Sequence, residues 1–329
     1  MAERTALVTG CAGFIGGYLC ERLLAEGYRV VGIDNETTGF RANVPAAVEY
    51  LPGDIRDEGV LAEAFGRSLD VVLHAAAQVS NIKSFGDPQS DLDVNVRGTL
   101  GVLGKCLAHR VPRLLYASSM AVYGEPAQVP TPETAPCLPL SYYGIGKFAA
   151  ERYVQQTARR TDLDFAFNVT SFRMFNVYGP RQSLTNPYQG VISVFVANLL
   201  QGEPIILYGS GRQSRDFVYI DDIVDAWLAA IAEPRTYGEA INLGTGSDVS
   251  IQQLIDTVTE IFGRKGDYPI ERRPTLSGDQ FRIAADIAKA RELLGWTPRV
   301  KFAAGLARTV EWARRSGVYS QLGWQPRRD

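Results

Sequence analysis

Residues 6–16 read Ala6-Leu7-Val8-Thr9-Gly10-Cys11-Ala12-Gly13-Phe14-Ile15-Gly16. The stretch joins a short apolar β-like run, a glycine turn and the opening of a helix. Past the turn, Ile15, Leu19 and Leu23 recur every fourth residue and share one helical face. Gly10 permits a tight turn, and Gly13 removes the Cβ that would hold backbone away from a pyrophosphate. Gly16 lets the helix pack closely on its strand. The unpaired N–H groups at the helix start then face phosphate, favoured by the helix dipole. The spacing is G-x-x-G-x-x-G, and glycines also serve strand–helix turns that bind nothing. The rest of the chain has to decide.

Tyr28-Arg29-Val30-Val31-Gly32-Ile33 reads as a second strand ending at Asp34. An acid about 20 residues past a glycine loop binds the hydroxyls of an adenosine ribose and repels a 2′-phosphate. Asp34 therefore points to NAD rather than NADP. A third strand from Val48 to Leu51 closes at Gly53-Asp54-Ile55, placing Asp54 to meet an adenine amine. A fourth, Asp70 to His74, runs into Ala75-Ala76-Ala77, small residues that let backbone pass close to a ligand. A helix over 92–109 carries Leu92, Val96, Leu100, Leu103 and Leu107 on one stripe. Asn95 lies off that stripe, as a buried structural amide or a functional one. Arg113 to Ala117 is a fifth strand ending in Ser118-Ser119, and a sixth runs from Phe165 to Phe175.

Strands alternating with helices at this spacing mean an α/β protein of Rossmann type, with a doubly wound parallel sheet and a site at the carboxyl ends of its strands. Beyond residue 176 the alternation gives way to short elements rich in proline and glycine. A helix over 221–232 buries Ile223, Trp227 and Ile231, and Ala240 to Leu243 looks like one more strand of the main sheet. The expected division is a dinucleotide-binding domain over 1–176 with a return segment at about 214–244. A smaller C-terminal α/β substrate-binding lobe takes 177–213 and 245–329, its Arg327-Arg328-Asp329 tail solvated.

Hydrophobic residues at 46%, charged residues at 21% and a net charge of −2 fit a soluble globular enzyme, and argue against a nucleic-acid groove. No apolar run is long enough to span a bilayer, and the first strand starts too early to leave room for a signal peptide. Cys11, Cys20, Cys106 and Cys137 are scattered, which suits reduced thiols and a cytoplasmic protein. With only His74 and His109, a histidine-rich metal site is excluded, and no metal is expected.

Tyr143-Gly144-Ile145-Gly146-Lys147 puts a phenol and an ammonium four residues apart on one helix face. A cation there is expected to lower the phenol's pKa, so that tyrosine acts as a base near neutral pH. Ser119, at a strand end upstream, either shares the hydrogen bond of a substrate oxygen with Tyr143 or simply caps its strand.

The chain resembles an extended short-chain dehydrogenase/reductase of the NAD-dependent epimerase/dehydratase family. The resemblance is carried by residues 9–16, Asp34-Asn35, Gly53-Asp54-Ile55, His74-Ala75-Ala76-Ala77 and Asn95-Val96-Arg97-Gly98-Thr99. It continues through Ala117 to Gly124, Tyr143 to Lys147, Phe175 to Arg181, Arg215 to Asp222, Gly278-Asp279 and Ala285 to Lys289. It implies NAD as cofactor, held by Gly10, Gly13, Phe14 and Ile15, by Asp34, Asn35, Thr38 and Gly39, and by Asp54 and Ile55. Ala75, Ala76, Ala77, Asn95, Tyr143 and Lys147 complete that set, Lys147 on the nicotinamide ribose. It implies a nucleotide-sugar substrate against Ser119, Tyr143, Asn176, Val191, Tyr208, Arg215 and Asp279. In that set Arg215 meets the pyrophosphate, Tyr208 the nucleobase, and Asn176 the sugar or phosphate side. The implied reaction is 4-epimerisation through a 4-keto sugar, with Tyr143, Lys147 and Ser119 catalytic.

Family dehydratases place an Asp-Glu pair directly after the active-site serine or threonine. Met120 and Ala121 stand there, and neither can move a proton, so dehydration is disfavoured. The longer segment before Gly278-Asp279 leaves Arg273 without a transferred role. Ile283 falls near the position that gates N-acetyl sugars, and Arg181 and Arg282 are candidate partners for a uronate carboxylate. Base and sugar stay open. The alternatives are a nucleotide-sugar dehydrogenase, reductase or decarboxylase of the same family, and a non-catalytic NAD sensor, which the retained Ser119, Tyr143 and Lys147 disfavour. The family pairing of helices near 92–109 and 143–160 across two copies implies a homodimer.

Overall fold

The computed structural model describes residues 4–186, 190–275, 278 and 280–317. Asp279 and the Arg327-Arg328-Asp329 tail lie outside the described residues. Six strands open the chain: β1 (Thr5–Thr9), β2 (Arg29–Asp34), β3 (Glu49–Pro52), β4 (Val71–His74), β5 (Arg113–Ser119) and β6 (Asn168–Met174). Between them lie α1 (Phe14–Ala25), α2 (Glu58–Phe65), α3 (Asn81–Gly86), α4 (Pro88–Leu92), α5 (Thr99–Ala108) and α6 (Tyr142–Ala158). Short elements follow, namely β7 (Asn176–Tyr178), α7 (Val191–Gln201), β8 (Ile205–Tyr208), β9 (Ser214–Arg215) and β10 (Phe217–Tyr219). The chain then returns with α8 (Ile220–Ile231) and β11 (Glu239–Leu243). It finishes with β12 (Val249–Ser250), α9 (Ile251–Ile261), β13 (Ile270–Arg273), β14 (Arg282–Ile283), α10 (Ala288–Leu294) and α11 (Phe302–Ser316).

The main sheet has seven parallel strands in the order β11-β6-β5-β4-β1-β2-β3. Both faces are covered, as a parallel sheet requires. Along β1, Ala6 and Val8 point into a core shared with Leu19 and Leu23 of α1 and Trp227 of α8. Leu7 points the other way, into a core with Phe65 of α2, Cys106 of α5 and Val154 of α6. That alternation, wholly apolar on both sides, is why the opening run is a central strand.

Two expectations need correction. The sixth strand is shorter than 165–175: it begins only at Asn168, and at its far end the chain changes partners. Phe175 N–H still donates to Leu243 O at 2.9 Å, whereas Asn176 N–H turns to Asp216 O at 3.0 Å. From there β7 pairs with β10 in a sheet of its own. The expected single helix over 92–109 instead starts at Pro88, capped by the Asp87 carboxylate on Ser90 N–H, and passes through a π-helical turn, Asp93–Gly98, before α5. Its leucine stripe is buried only in part: Leu92 is 52% and Leu100 39% exposed, whereas Leu103 lies in the core with Leu107 packed against it. Asp91, Asn95 and Thr99 are buried too, on the side that meets α6, where they find polar partners. At α8, Ile223 and Trp227 are buried as expected and Ile231 only partly. Among the described residues no helix is long and apolar enough to cross a membrane, and no group of three His, Cys, Asp or Glu side chains gathers as a metal site.

Candidate active site

A cavity of about 1080 Å³ lies across the carboxyl ends of the main sheet. Its floor is the glycine turn. Gly10 has φ +75°, and a Cβ there would stand 2.8 Å from Ala76 N, so the turn sits directly on the end of β4. A Cβ on Gly16 would come within 1.9 Å of Gly10 O, which is why α1 can start against the turn only with glycine. The helix begins at Gly13 with no side-chain cap, leaving its first N–H groups to a phosphate. Asp34 closes β2. Its Oδ2 accepts from Ala12 N–H at 2.9 Å and its Oδ1 from Glu36 N–H at 2.7 Å, with lone pairs left over for ribose hydroxyls. Asp54 holds Asn35 Nδ2 at 2.8 Å and is held at a pKa of about 2, chiefly by the Arg56 guanidinium.

The cavity is lined by Gly10, Gly13, Phe14 and Ile15, by Asp34, Asn35, Thr38 and Gly39, by Asp54 and Ile55, and by Ala75, Ala76 and Ala77. This is the set that a dinucleotide with a pyrophosphate and an unphosphorylated ribose needs. Lys147 of the expected set is missing from that lining, and so is Asn95. It is 1% exposed and stands behind the wall, its Oδ1 accepting from Gln78 N–H and its Nδ2 donating to Gln78 O and to Asp91. The structural reading of that amide is the one its bonds describe.

Ser119 ends β5 and Tyr143 opens α6, whose start is capped by Ser141 Oγ on Gly144 N–H at 3.1 Å. Ser119 makes the bond of a strand cap and also lines the cavity beside Tyr143. Its Oγ accepts from Ala121 N–H at 3.2 Å and stands close enough to the Tyr143 phenol to favour its ionisation. Burial pushes the Tyr143 phenol up to about 12, with Ser119 pulling it down and Asp91 pushing it further up. This corrects the expectation that Lys147 sets the phenol's acidity. Lys147 is 2% exposed, lies behind Tyr143 rather than in the cavity lining, and carries its Nζ 4.4 Å over the Tyr116 ring. Burial itself lowers Lys147 to about 7.

Asn176, Val191, Tyr208 and Arg215 also line the cavity, as do Met120 and Ala121 in the place of an acid–base pair. Arg215 is 8% exposed and donates through Nη1 to Ser214 O. Ile283 is fully buried in β14 beside β9 and outside the lining. Arg181 pairs with Glu21 and stacks 3.8 Å over Tyr18, while Arg282 pairs with Asp248, so neither lines the cavity. Arg273 binds Glu271. Gln78, Gln182, Gln213 and Gln280 line the cavity without having been singled out, as does Phe195 near Tyr208. Glutamine has no motif of its own, and Gln280 is placed by a bond to Gly124 O, far away in the chain.

A parallel sheet with a phosphate turn at one strand end and a Ser–Tyr–Lys constellation at another defines a dinucleotide-dependent enzyme of short-chain dehydrogenase/reductase type. The model of the NAD dependent epimerase/dehydratase family matches residues 6–244, and the chain belongs to that family. It is 39% identical over 317 residues to the UDP-glucose 4-epimerase of Mycolicibacterium smegmatis, covering 94% of this chain and 98% of that one. The UDP-glucose 4-epimerase of Thermotoga maritima, solved with UDP-glucose, superposes with a TM-score of 0.89 at 36% identity, over 95% of this chain and 99% of that one. The Thermus thermophilus UDP-glucose 4-epimerase, solved with NAD, gives 0.87 at 35% identity, with the same coverage.

Proposed function

We propose that the protein is an NAD-dependent nucleoside-diphosphate-sugar 4-epimerase, acting on a UDP-hexose. One observation carries this reading: a single cavity is lined by the dinucleotide turn, by Ser119 and Tyr143, and by Met120 and Ala121 where a dehydratase has its proton carriers. Bound NAD supplies a reversible two-electron acceptor at the sugar carbon. The glycine turn and the N–H groups of α1 would hold its pyrophosphate and Asp34 its adenosine ribose, while Lys147, buried outside the lining, would supply a positive charge one helical turn from Tyr143. Tyr143 takes the proton of the sugar's C4 hydroxyl and returns it, while Ser119 orients that oxygen. Arg215 meets the substrate pyrophosphate and Tyr208 its base. Asn176 faces the sugar-phosphate, and Val191 adds apolar wall. With no acid or base at 120 and 121, the 4-keto sugar has no route to lose water and turns over instead.

The UDP-sugar chemistry of the relatives supports the choice of base and hexose. The engagement of Arg181 and Arg282 elsewhere removes the cations that would have favoured a uronate. A proton NMR time course with UDP-glucose, UDP-N-acetylglucosamine, UDP-glucuronate and dTDP-glucose tests the reading. A C4 epimer of UDP-glucose without build-up of NADH is expected. Net NADH, or carbon dioxide from the uronate, would establish the dehydrogenase or decarboxylase alternative.

We also infer two lobes, 1–176 with the return over 214–244, and 177–213 with 245–329. The pairing of β11 with β6 supports this division. A homodimer through α4–α5 and α6 is supported by the exposed Leu92, Leu100 and Tyr153 on those helices, and a cytoplasmic setting by four free cysteines.

A further inference from the structure

We infer that Asp91 is a positioning residue for the reaction, a buried carboxylate that serves as the countercharge of Lys147 and fastens the cavity wall at Gln78. This rests on the reading of Tyr143 and Lys147 as the working pair. Asp91 is 2% exposed on α4. Its Oδ1 accepts from Gln78 Nε2 at 2.6 Å and from Asn95 Nδ2 at 3.1 Å. Its Oδ2 faces α6, since a Cβ on Gly146 would stand 3.0 Å from it. Gly146 thus lets the residue before Lys147 sit on the carboxylate. Both donors are neutral amides, so they orient the charge without balancing it. A buried charge needs a partner or gives up its ionisation.

Lys147 has the complementary need. Among the described residues, Glu151 on its own helix, His74 from β4 and Tyr116 from β5 face it alongside Asp91, and Tyr143 stands one turn earlier on the same helix. Glu151 is engaged by Arg173, with bonds of 2.6 to 3.2 Å, and by Ser118 Oγ at 2.6 Å. His74 is held neutral, its pKa lowered to about 3 by burial and then by Lys147. Its ring nitrogens meet Thr9 Oγ1 at 2.6 Å and Thr99 Oγ1 at 3.0 Å. Tyr116 offers a ring face. Asp91 is the negative charge left without a cation of its own. It holds up Lys147 against burial, and it opposes ionisation of Tyr143. The same wall carries Ala75 to Ser80 into the cavity lining, so a displaced Asp91 would disturb both charge and shape.

Asp91→Asn keeps the size and the acceptor for Gln78 and removes the charge. Lys147 is titrated by NMR in protein labelled with 13C-lysine, assigned with Lys147→Met, and the pH profile of kcat/KM is recorded in parallel. Losing the carboxylate favours neutral Lys147 and ionised Tyr143, so both limbs of the profile are expected to move to lower pH. The Lys147 titration is expected to fall by a pH unit or more. Lower activity at every pH with an unmoved Lys147 titration would reduce Asp91 to a packing role and overturn the inference. If Asp91→Asn does not fold, the reciprocal measurement serves. In Lys147→Met the 13C-carboxyl titration of Asp91 must rise, and an unchanged value refutes the pairing. Both titrations read without substrate, so failure to epimerise any nucleotide sugar would sink the proposed reaction and leave this coupling separately decided.

Discussion

In the proposed reaction Tyr143 has to release a proton from a place that resists release. Burial dominates its environment and Ser119 is the one group named above that eases it. Tyr143→Phe is expected to lower kcat by about 10³-fold or more while NAD affinity, read by fluorescence titration, stays within a few-fold. Ser119→Ala is expected to slow turnover by a smaller factor, about 10²-fold, and to move the rising limb of the pH profile upward, because the phenol loses its stabilising donor. An unmoved limb would make Ser119 a strand cap and nothing more. At the other end of the cavity, Asp34→Ala is expected to weaken NAD by about 1–3 kcal/mol and to narrow the preference over NADP, measured by competitive titration. Gly10, Asp34, Ser119 and Tyr143 were legible in the sequence because each sits in a local pattern whose chemistry is contained within a few residues. Gln78, Asp91 and Gln280 were not, since each acts through a partner brought near only by the fold. The acidity of Tyr143 was misread for a related reason. Spacing shows that Lys147 is on the same face, but burial, which outweighs it, is a tertiary property.

Among the elements, α1 depends on a contact that tolerates no side chain. Gly16→Ala places a carbon against Gly10 O, and the turn must open. The expected cost is about 3 kcal/mol in a denaturant melt, together with loss of NAD binding. The helix α6 is fixed differently, by the buried Arg173–Glu151 pair, at 7% and 0% side-chain exposure. Arg173→Met strands the Glu151 charge and is expected to cost about 3–5 kcal/mol, and Glu151→Met added to it to recover much of that loss. A double variant no more stable than the single one would show that the pair holds α6 by shape rather than charge. Strand positions were close to expectation because buried parallel strands are short apolar runs. The helix over 92–109 was misread because apolar periodicity was taken to mark its buried side. Its buried side carries Val102, Leu103 and Cys106 together with Asp91, Asn95 and Thr99, polar groups satisfied by partners that periodicity does not count.

At the scale of the whole molecule, Asp216 joins the parts. Fully buried, it takes Thr245 N–H at 2.7 Å, Gly246 N–H at 3.1 Å and Ala285 N–H at 3.0 Å, next to Arg215 in the cavity wall. Asp216→Asn is expected to lower stability by about 2–3 kcal/mol and to raise KM for the nucleotide sugar more than it lowers kcat. The return of the chain to its first sheet was visible in Ala240 to Leu243, whereas the sheet order that makes β11 the neighbour of β6 was not, since no local pattern encodes a partner that distant. That neighbour has a consequence for the newborn protein. On a ribosome, Asn168–Met174 is complete long before Glu239–Leu243, and at about 5–20 residues per second the interval lasts on the order of several seconds. Throughout it the nascent sheet ends in an open hydrogen-bonding edge that can recruit a neighbouring chain. Synthesis speed between these two strands, rather than the stability of the finished fold, then governs how much of each polysome's output escapes aggregation.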